Sequence, residues 1–132
     1  MKQILSIEDG VLDAAFLENI LKDKYLVEIV TTIEEARCSI ELNPPDLIIL
    51  DLLLPDSEGI ETVISVKGFI EDLKPKVIPL IVYTATLSDR YCLDYMCYSV
   101  LEKGKTTVKE LLDVISILLT HCQIFKTTNT II

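Results

Sequence analysis

The chain has 132 residues, of which 50% are hydrophobic and 25% charged, and this composition suits one domain with a single apolar core. Its 21 acidic residues outnumber its 12 basic residues and give a formal net charge of −9, so we expect no direct binding of nucleic acid. No apolar stretch approaches the roughly 18 residues that cross a bilayer, so we expect no membrane insertion.

The start of the chain and its cysteines indicate a cytoplasmic protein. The apolar residues after Met1 give way to Glu8 and Asp9, which is not the pattern of a secretory signal peptide. The 4 cysteines form no pair with metal-ligand spacing, and the chain has 1 histidine. A zinc site is therefore not expected, and reduced thiols in the cytoplasm are.

Hydrophobic patterning predicts strands and helices that alternate along the chain. The predicted strands are 4–7, 25–30, 46–50, 77–83 and 100–101. The first predicted helix, 11–22, has apolar residues at helical spacing, namely Leu12, Ala15, Phe16 and Ile20. Further helices are predicted over 60–73 and 87–97.

Two capping-box patterns mark the starts of the remaining helices. Thr31 and Thr32 each precede a glutamate by three residues and predict a helix that ends near Leu42. Thr107 precedes Glu110 in the same way and predicts the last helix. We expect one domain over 1–122, followed by a frayed tail over 123–132.

Five strand–helix units predict an α/β fold, with a doubly wound parallel sheet that has helices on both faces. In such sheets, functional groups gather at the carboxyl ends of the strands. Polar residues follow four of the predicted strands at this edge, namely Glu8, Asp9, Asp51, Thr84 and Lys103. We therefore expect three carboxylates, one hydroxyl and one ammonium group to lie close together.

This set of groups indicates phosphoryl chemistry at a metal site. Neighbouring carboxylates repel each other unless one takes up a proton or a cation binds between them. Mg²⁺ prefers such oxygen ligands, and it would attract phosphate oxygens in turn. An aspartate beside the metal can attack phosphorus and form an acyl phosphate, while a lysine and a threonine neutralise and orient the transferred group.

The sequence resembles the receiver domains of two-component response regulators over about residues 2–120. The most specific stretch is I-I-L-D-L-L-L-P-D-S-E-G-I-E at 48–61. It is supported by the acidic pair at 8–9, by V-Y-T-A at 82–85 and by L-E-K-G at 101–104. The resemblance implies a flavodoxin-like (βα)5 fold with strand order 2-1-3-4-5.

The resemblance also implies a role for each matching residue. Asp51 matches the phosphoacceptor, which takes a phosphoryl group from a phosphohistidine of a partner. Asp9 corresponds to the direct Mg²⁺ ligand, Glu8 to a ligand that acts through water, and Leu53 to the residue that supplies a backbone carbonyl to the metal. Thr84 is similar to the switch hydroxyl and Lys103 to the lysine that pairs with the phosphoryl group, while Pro55 and Gly59 match the loop after the acceptor.

Two features depart from the family pattern. Val100 occupies the place of an aromatic residue that reports phosphorylation to the output face in the family. The segment between Thr84 and Lys103 is shorter than usual by roughly one helical turn. Tyr91, Tyr95 and Tyr98 in that segment are candidates for a partner surface or for simple packing.

Other functions fit the sequence less well. A phosphohydrolase with an aspartate nucleophile needs a second aspartate two residues later, where this chain has Leu53. A flavin mononucleotide carrier needs a phosphate loop rich in hydroxyls or glycine after the first strand, and this chain has E-D-G-V-L-D there. A degenerate receiver that only docks onto a protein remains an alternative, because of Val100 and the short segment.

The expected function is therefore that of a switch rather than of an enzyme with a separate substrate. Receivers catalyse their own phosphorylation and dephosphorylation. The expected partners are a sensor histidine kinase or a histidine phosphotransfer protein, together with a downstream protein target. We expect a stand-alone receiver, or one excised from a longer protein, that is a monomer or a weak homodimer.

Overall fold

The computed structural model describes residues 1–85 and 99–131, with side chains described as far as Thr120. The strands are β1 (Gln3–Ile7), β2 (Leu26–Val30), β3 (Leu47–Leu50), β4 (Leu53–Leu54), β5 (Ser57–Glu58), β6 (Leu80–Thr84) and β7 (Ser99–Glu102). The helices are α1 (Val11–Leu21), α2 (Ile33–Leu42), α3 (Ile60–Glu71) and α4 (Val108–Ile131). No helix among these described residues is both long and apolar enough to span a membrane.

Five strands form one parallel sheet with the order β2-β1-β3-β6-β7. Because β4 and β5 form a separate antiparallel pair, this order is the predicted 2-1-3-4-5. The doubly wound, flavodoxin-like α/β fold is therefore confirmed. Each parallel neighbour points its carboxyl end to the same edge of the sheet, which is the property on which the predicted site depends.

Both faces of the sheet are covered by helices, which explains the unbroken apolar runs of the central strands. Residues of α1 and α4, such as Leu17 and Ile115, pack on one face with Ile4 and Ile49. Residues of α2 and α3 pack on the other face, among them Ile40 and Val66 with Leu5 and Ile48. Successive residues of one strand thus enter different halves of the core, because side chains alternate along a strand.

Both predicted capping boxes are present. The Thr32 hydroxyl accepts from the Glu35 N–H at 3.0 Å, and the Glu35 carboxylate accepts from the Thr31 N–H at 3.0 Å. At the start of α4, the Thr107 hydroxyl accepts from the Glu110 N–H, and the Glu110 carboxylate accepts from the Thr107 N–H, both at 3.1 Å. These bonds satisfy N–H groups that the first turn of a helix cannot satisfy itself.

The segment after β3 contains a hairpin that the sequence analysis did not predict. Leu53 and Leu54 pair with Glu58 and Ser57, and Asp56 lies in the turn between them. The Asp56 carboxylate accepts from the first N–H groups of α2, those of Ile33 at 3.0 Å and Glu34 at 3.3 Å. The hairpin is therefore joined directly to the start of α2.

The sequence prediction and the structure differ at several boundaries. The fourth strand of the large sheet starts at Leu80 rather than at 77, and Pro79 just before it has no N–H to donate to a neighbouring strand. The C-terminal tail predicted over 123–132 is instead helical as far as Ile131, because no proline or glycine interrupts the sequence after Gly104. The predicted helix over 87–97 lies outside the described residues.

The buried face of α1 also differs from the apolar spacing noted in the sequence. Leu17 and Leu21 are buried, whereas Leu12 is 85% exposed and Phe16 is 38% exposed. Apolar residues occur on both sides of this helix, so periodicity alone could not decide which side faces the sheet.

Candidate functional site

Four strands of the parallel sheet bring polar residues to one edge. Glu8 follows β1, Asp51 follows β3, Thr84 ends β6 and Lys103 follows β7. Backbone hydrogen bonds continue between the strands at this edge, from Asp51 N–H to the Ile7 carbonyl at 3.0 Å and from Lys103 N–H to the Thr84 carbonyl at 2.9 Å. Regular sheet geometry therefore fixes the positions of these residues.

Most of the polar groups are buried at this edge. Glu8 is 2% exposed, Asp51 8% and Thr84 0%, while the Lys103 side chain is 12% exposed. Asp9 is exposed. Charged groups are almost never this deeply buried unless they are paired, so their partners decide what the site can do.

Asp51 is held by hydrogen bonds to both of its carboxylate oxygens. The Thr84 hydroxyl donates to Oδ1 at 2.8 Å, and the Leu53 N–H donates to the same atom at 3.3 Å. The Lys103 ammonium donates to Oδ2 at 3.0 Å. These contacts fix the orientation of the carboxylate toward the groups that surround it.

Lys103 lies at the centre of the cluster and contacts three carboxylates. Its Nζ donates to Glu8, to Asp51 and also to Asp13 of α1, the last at 2.9 Å. The ammonium group lies 5.9 Å from the centre of the Tyr83 ring, within the range of a cation–π contact. Asp13 was not among the predicted site residues; it lies in the first turn of α1, the helix that begins at this edge.

The buried carboxylates differ in their affinity for protons. Burial raises the pKa of Glu8 to about 7, although its hydrogen bond to Lys103 acts in the opposite direction. Burial also tends to raise the pKa of Asp51, but hydrogen bonds from Glu8, Thr84 and Lys103 together outweigh it and lower that pKa. At neutral pH Asp51 is therefore ionised, while Glu8 is present in both its protonated and its ionised forms.

The pKa of Lys103 is raised despite its burial, since hydrogen bonds to Glu8, Asp13 and Asp51 favour the charged form. Among the described residues, the site thus contains one positive charge and four carboxylates. A surplus of negative charge in a partly enclosed space favours the binding of a cation.

Three of these carboxylates have the geometry of a metal site. One oxygen from each of Glu8, Asp9 and Asp51 lies within 4.8 Å of the others. A hard divalent cation such as Mg²⁺ takes oxygen ligands of this kind. The donor set therefore fits the predicted cation on chemical grounds.

The structure brings Glu8, Asp9, Asp51, Thr84 and Lys103 to one place, and Leu53 contacts Asp51 through its backbone N–H. The role of the Leu53 carbonyl as a metal ligand remains a prediction. Val100 is 6% exposed and belongs to the core beneath the sheet edge. The tyrosines considered for a partner surface, Tyr91, Tyr95 and Tyr98, lie outside the described residues.

Solved structures with the same fold are numerous. A CheY-like response regulator receiver domain from Methanospirillum hungatei is 26% identical, with a TM-score of 0.77 over 92% of this chain and 95% of that chain. The N-terminal domain of a response regulator/sensory box/GGDEF three-domain protein from Carboxydothermus hydrogenoformans is 26% identical, with a TM-score of 0.74 over 92% and 97%.

A third structure is similar in fold at lower identity. It is the receiver domain of a sensor histidine kinase from Pseudomonas aeruginosa, which contains a magnesium ion in its active-site cleft. That domain is 24% identical, with a TM-score of 0.76 over 90% of this chain and 98% of its own. Among curated proteins, no significant match was found.

The family model described as the response regulator receiver domain matches residues 4–114. This range begins in β1, ends in α4 and includes every residue of the clustered site. The chain therefore belongs to the response regulator receiver domain family, the signalling modules of two-component systems.

Proposed function

We propose that the protein accepts a phosphoryl group on Asp51 from a phosphohistidine of a partner protein and that Mg²⁺ assists this transfer. The observation that carries the proposal is the environment of Asp51: an ionised carboxylate between a hydroxyl and an ammonium group, beside two further carboxylates. Phosphoryl transfer needs mainly alignment and charge neutralisation, and these groups can supply both.

In the proposed step, a carboxylate oxygen of Asp51 attacks phosphorus as the bond between phosphorus and the histidine nitrogen breaks. The electron pair of that bond returns to the imidazole, which takes up a proton, and Asp51 becomes an acyl phosphate. The Thr84 hydroxyl and the Lys103 ammonium, which now contact Asp51, then donate to oxygens of the phosphoryl group. Transfer to water later restores the carboxylate, so the protein acts as a switch rather than on a separate substrate.

We propose that Asp9 and Asp51 bind Mg²⁺ through their carboxylates, that Leu53 binds it through its backbone carbonyl, and that Glu8 binds through water. The magnesium ion in the receiver from Pseudomonas aeruginosa supports this assignment by analogy. When bound, the cation would neutralise charge on the phosphoryl oxygens during transfer.

The proposed partners are a histidine kinase or a histidine phosphotransfer protein as the phosphoryl donor and a protein target downstream. Phosphorylation would replace the single negative charge of Asp51 with a phosphoryl group that carries about 1.5 to 2 negative charges and three acceptor oxygens, and this change can alter a neighbouring binding surface. Val100 replaces the usual aromatic switch residue. The hairpin β4–β5 follows Asp51 and is joined to α2 by Asp56, so it can transmit a structural change from the phosphorylated residue to the surface of α2.

The test is to incubate the protein with Mg²⁺ and acetyl phosphate, or with Mg²⁺ and beryllofluoride, and to follow intact mass and amide NMR spectra. We expect the wild type to gain the mass of one phosphoryl group and the Asp51→Asn variant to gain none. Asp46→Asn is a matched control, because Asp46 immediately precedes β3 and contacts the Gln3 N–H at the opposite edge of the sheet. This control should react like the wild type.

A folded wild type that neither reacts nor binds beryllofluoride would refute the proposal and would favour a receiver that only docks onto a protein. The clustering of all the predicted site side chains counts against that alternative.

A further inference from the structure

Asp13 is the one carboxylate of the Lys103 cluster that the receiver resemblance does not assign. It belongs to the first turn of α1, and its side chain is 51% exposed, compared with 12% for Lys103. Its Oδ2 atom accepts from the Lys103 Nζ at 2.9 Å. The contact therefore involves the most exposed of the three carboxylates around the ammonium group, whereas Glu8 is buried.

Gly10 provides the space for this arrangement. A Cβ atom at Gly10 would lie 3.3 Å from Asp13 Oδ2 and 3.3 Å from Glu8 Oε2. The absence of a side chain at Gly10 therefore leaves room for both carboxylates to approach the same ammonium group. The N-cap position of α1 is Gly10, so no side-chain cap is present at this helix start, and the Asp13 carboxylate contacts Lys103 instead.

The number of hydrogens on the ammonium group limits what Lys103 can contact. A lysine has three N–H donors, and Lys103 donates to Glu8, Asp13 and Asp51. A phosphoryl group on Asp51 would bring three further acceptor oxygens. Lys103 can then contact that group only by redirecting one of its three hydrogens, and of its two partners other than Asp51 itself, Asp13 is more accessible to water than Glu8.

From this geometry we propose that Asp13 is a positioning residue that draws Lys103 toward α1 and weakens the hold of the site on a phosphoryl group. This inference rests on the proposed function. Asp13 competes for the ammonium group, and its negative charge also repels the phosphoryl oxygens. Asp13 would thereby shorten the lifetime of the phosphorylated state.

The test compares the affinity for beryllofluoride at saturating Mg²⁺ with the affinity for Mg²⁺ alone, both by calorimetry. In Asp13→Asn we expect about three- to tenfold tighter binding of beryllofluoride, because one nearby negative charge is lost. For the same reason we expect about two- to threefold weaker binding of Mg²⁺. Opposite changes in the two affinities would not arise from a general loosening of the site, which weakens both.

Three further variants make the test specific. Asp13→Glu keeps the charge and should return the beryllofluoride affinity toward the wild-type value, and Asp13→Ala should behave like Asp13→Asn. Glu18→Gln removes a charge from an exposed position of the same helix and should leave both affinities nearly unchanged. Folding of each variant is checked by its amide NMR spectrum.

Beryllofluoride binding by Asp13→Asn that equals the wild type, or is weaker, would overturn the inference. That result would assign Asp13 only a structural role at the positive end of the α1 dipole. Failure of the wild type itself to bind beryllofluoride, or equal binding by Asp51→Asn, would instead refute the proposed function. The two failures are therefore distinguishable.

Discussion

Two clusters in this protein pair a cation with several carboxylates, but in different surroundings. On α2, Arg37 pairs with Glu34 and Glu41, and all three side chains are at least 39% exposed. At the sheet edge, Lys103 pairs with Glu8 and Asp51, whose side chains are 3% and 10% exposed. Water can replace the contacts of the first cluster but has little access to the second.

This difference is visible in proton affinities. The hydrogen bond and charge of Arg37 lower the pKa of the exposed Glu34, as expected for a carboxylate beside a cation in water. Burial instead raises the pKa of Glu8 to about 7, although Glu8 also contacts a cation. Similar pairs thus lie on an exposed helix in one place and, in the other, within the buried cluster that we propose as the cation-binding site.

The largest effect that we expect is the loss of folding stability caused by Lys103→Met in the absence of divalent cations. The buried carboxylates would lose their shared positive charge, and the free energy of unfolding should fall by about 2–4 kcal/mol at mildly alkaline pH. The loss should be smaller in mild acid, because Glu8 can take up a proton. Urea unfolding with and without Mg²⁺ measures this effect, and Mg²⁺ should restore most of the stability.

Lys105→Met is the matched control, because the Lys105 side chain is 77% exposed and lies two residues along the chain. Its stability should remain close to that of the wild type in every condition. If Lys103→Met were equally stable without Mg²⁺ in mild alkali, the buried cluster would not differ from the exposed one in the way we describe.

The pH dependence of Mg²⁺ binding tests the raised pKa of Glu8. A carboxylate whose pKa is near 7 is mostly protonated below that pH and must lose its proton to face a cation. Mg²⁺ affinity should therefore rise by about tenfold between about pH 6 and about pH 8, with release of up to one proton. Calorimetry in buffers of different ionisation enthalpy measures both quantities.

Without metal, the free energy of unfolding should fall as the pH rises, again because of Glu8. Since the folded pKa of Glu8 is raised from 4.5 to about 7, its contribution is fully present below 4.5 and is lost as the pH rises through 7. Glu8→Gln should remove most of both pH dependences. A Glu8→Gln variant with the wild-type dependence would show that another group carries the proton.

Topology made the centre of the site predictable from the sequence. Because every strand of a parallel sheet ends at the same edge, residues 8, 51, 84 and 103 could be placed together without knowing any distance. The capping boxes at Thr32 and Thr107 were predictable for a similar reason, since their partners lie within one helical turn.

Contacts that depend on the rotation of an element or on a loop could not be predicted in this way. Asp13 reaches Lys103 because α1 is rotated so that Leu17 and Leu21 are buried. Apolar residues occur on both sides of that helix, so the sequence did not predict this rotation. The contact between Asp56 and α2 joins residues that are 23 positions apart through an unpredicted hairpin. Pairing within such short strands leaves little hydrophobic pattern.

The smallest expected effect is that of Arg37→Gln on the exposed cluster. Its contacts with Glu34 and Glu41 on α2 are screened by water and salt, so the midpoint of urea unfolding should remain close to that of the wild type. The small difference that remains should shrink as salt is added. Beryllofluoride binding should be unchanged, because the cluster lies outside the site.

A loss of stability in Arg37→Gln as large as that in Lys103→Met would contradict this expectation, since it would mean that ion pairs in this chain contribute equally whether exposed or buried. A small effect beside a large one would instead assign the difference to burial, because both variants remove one cation from between carboxylates. Burial would then also explain why the cluster at the sheet edge has the charge balance to bind a divalent cation and the exposed cluster on α2 does not.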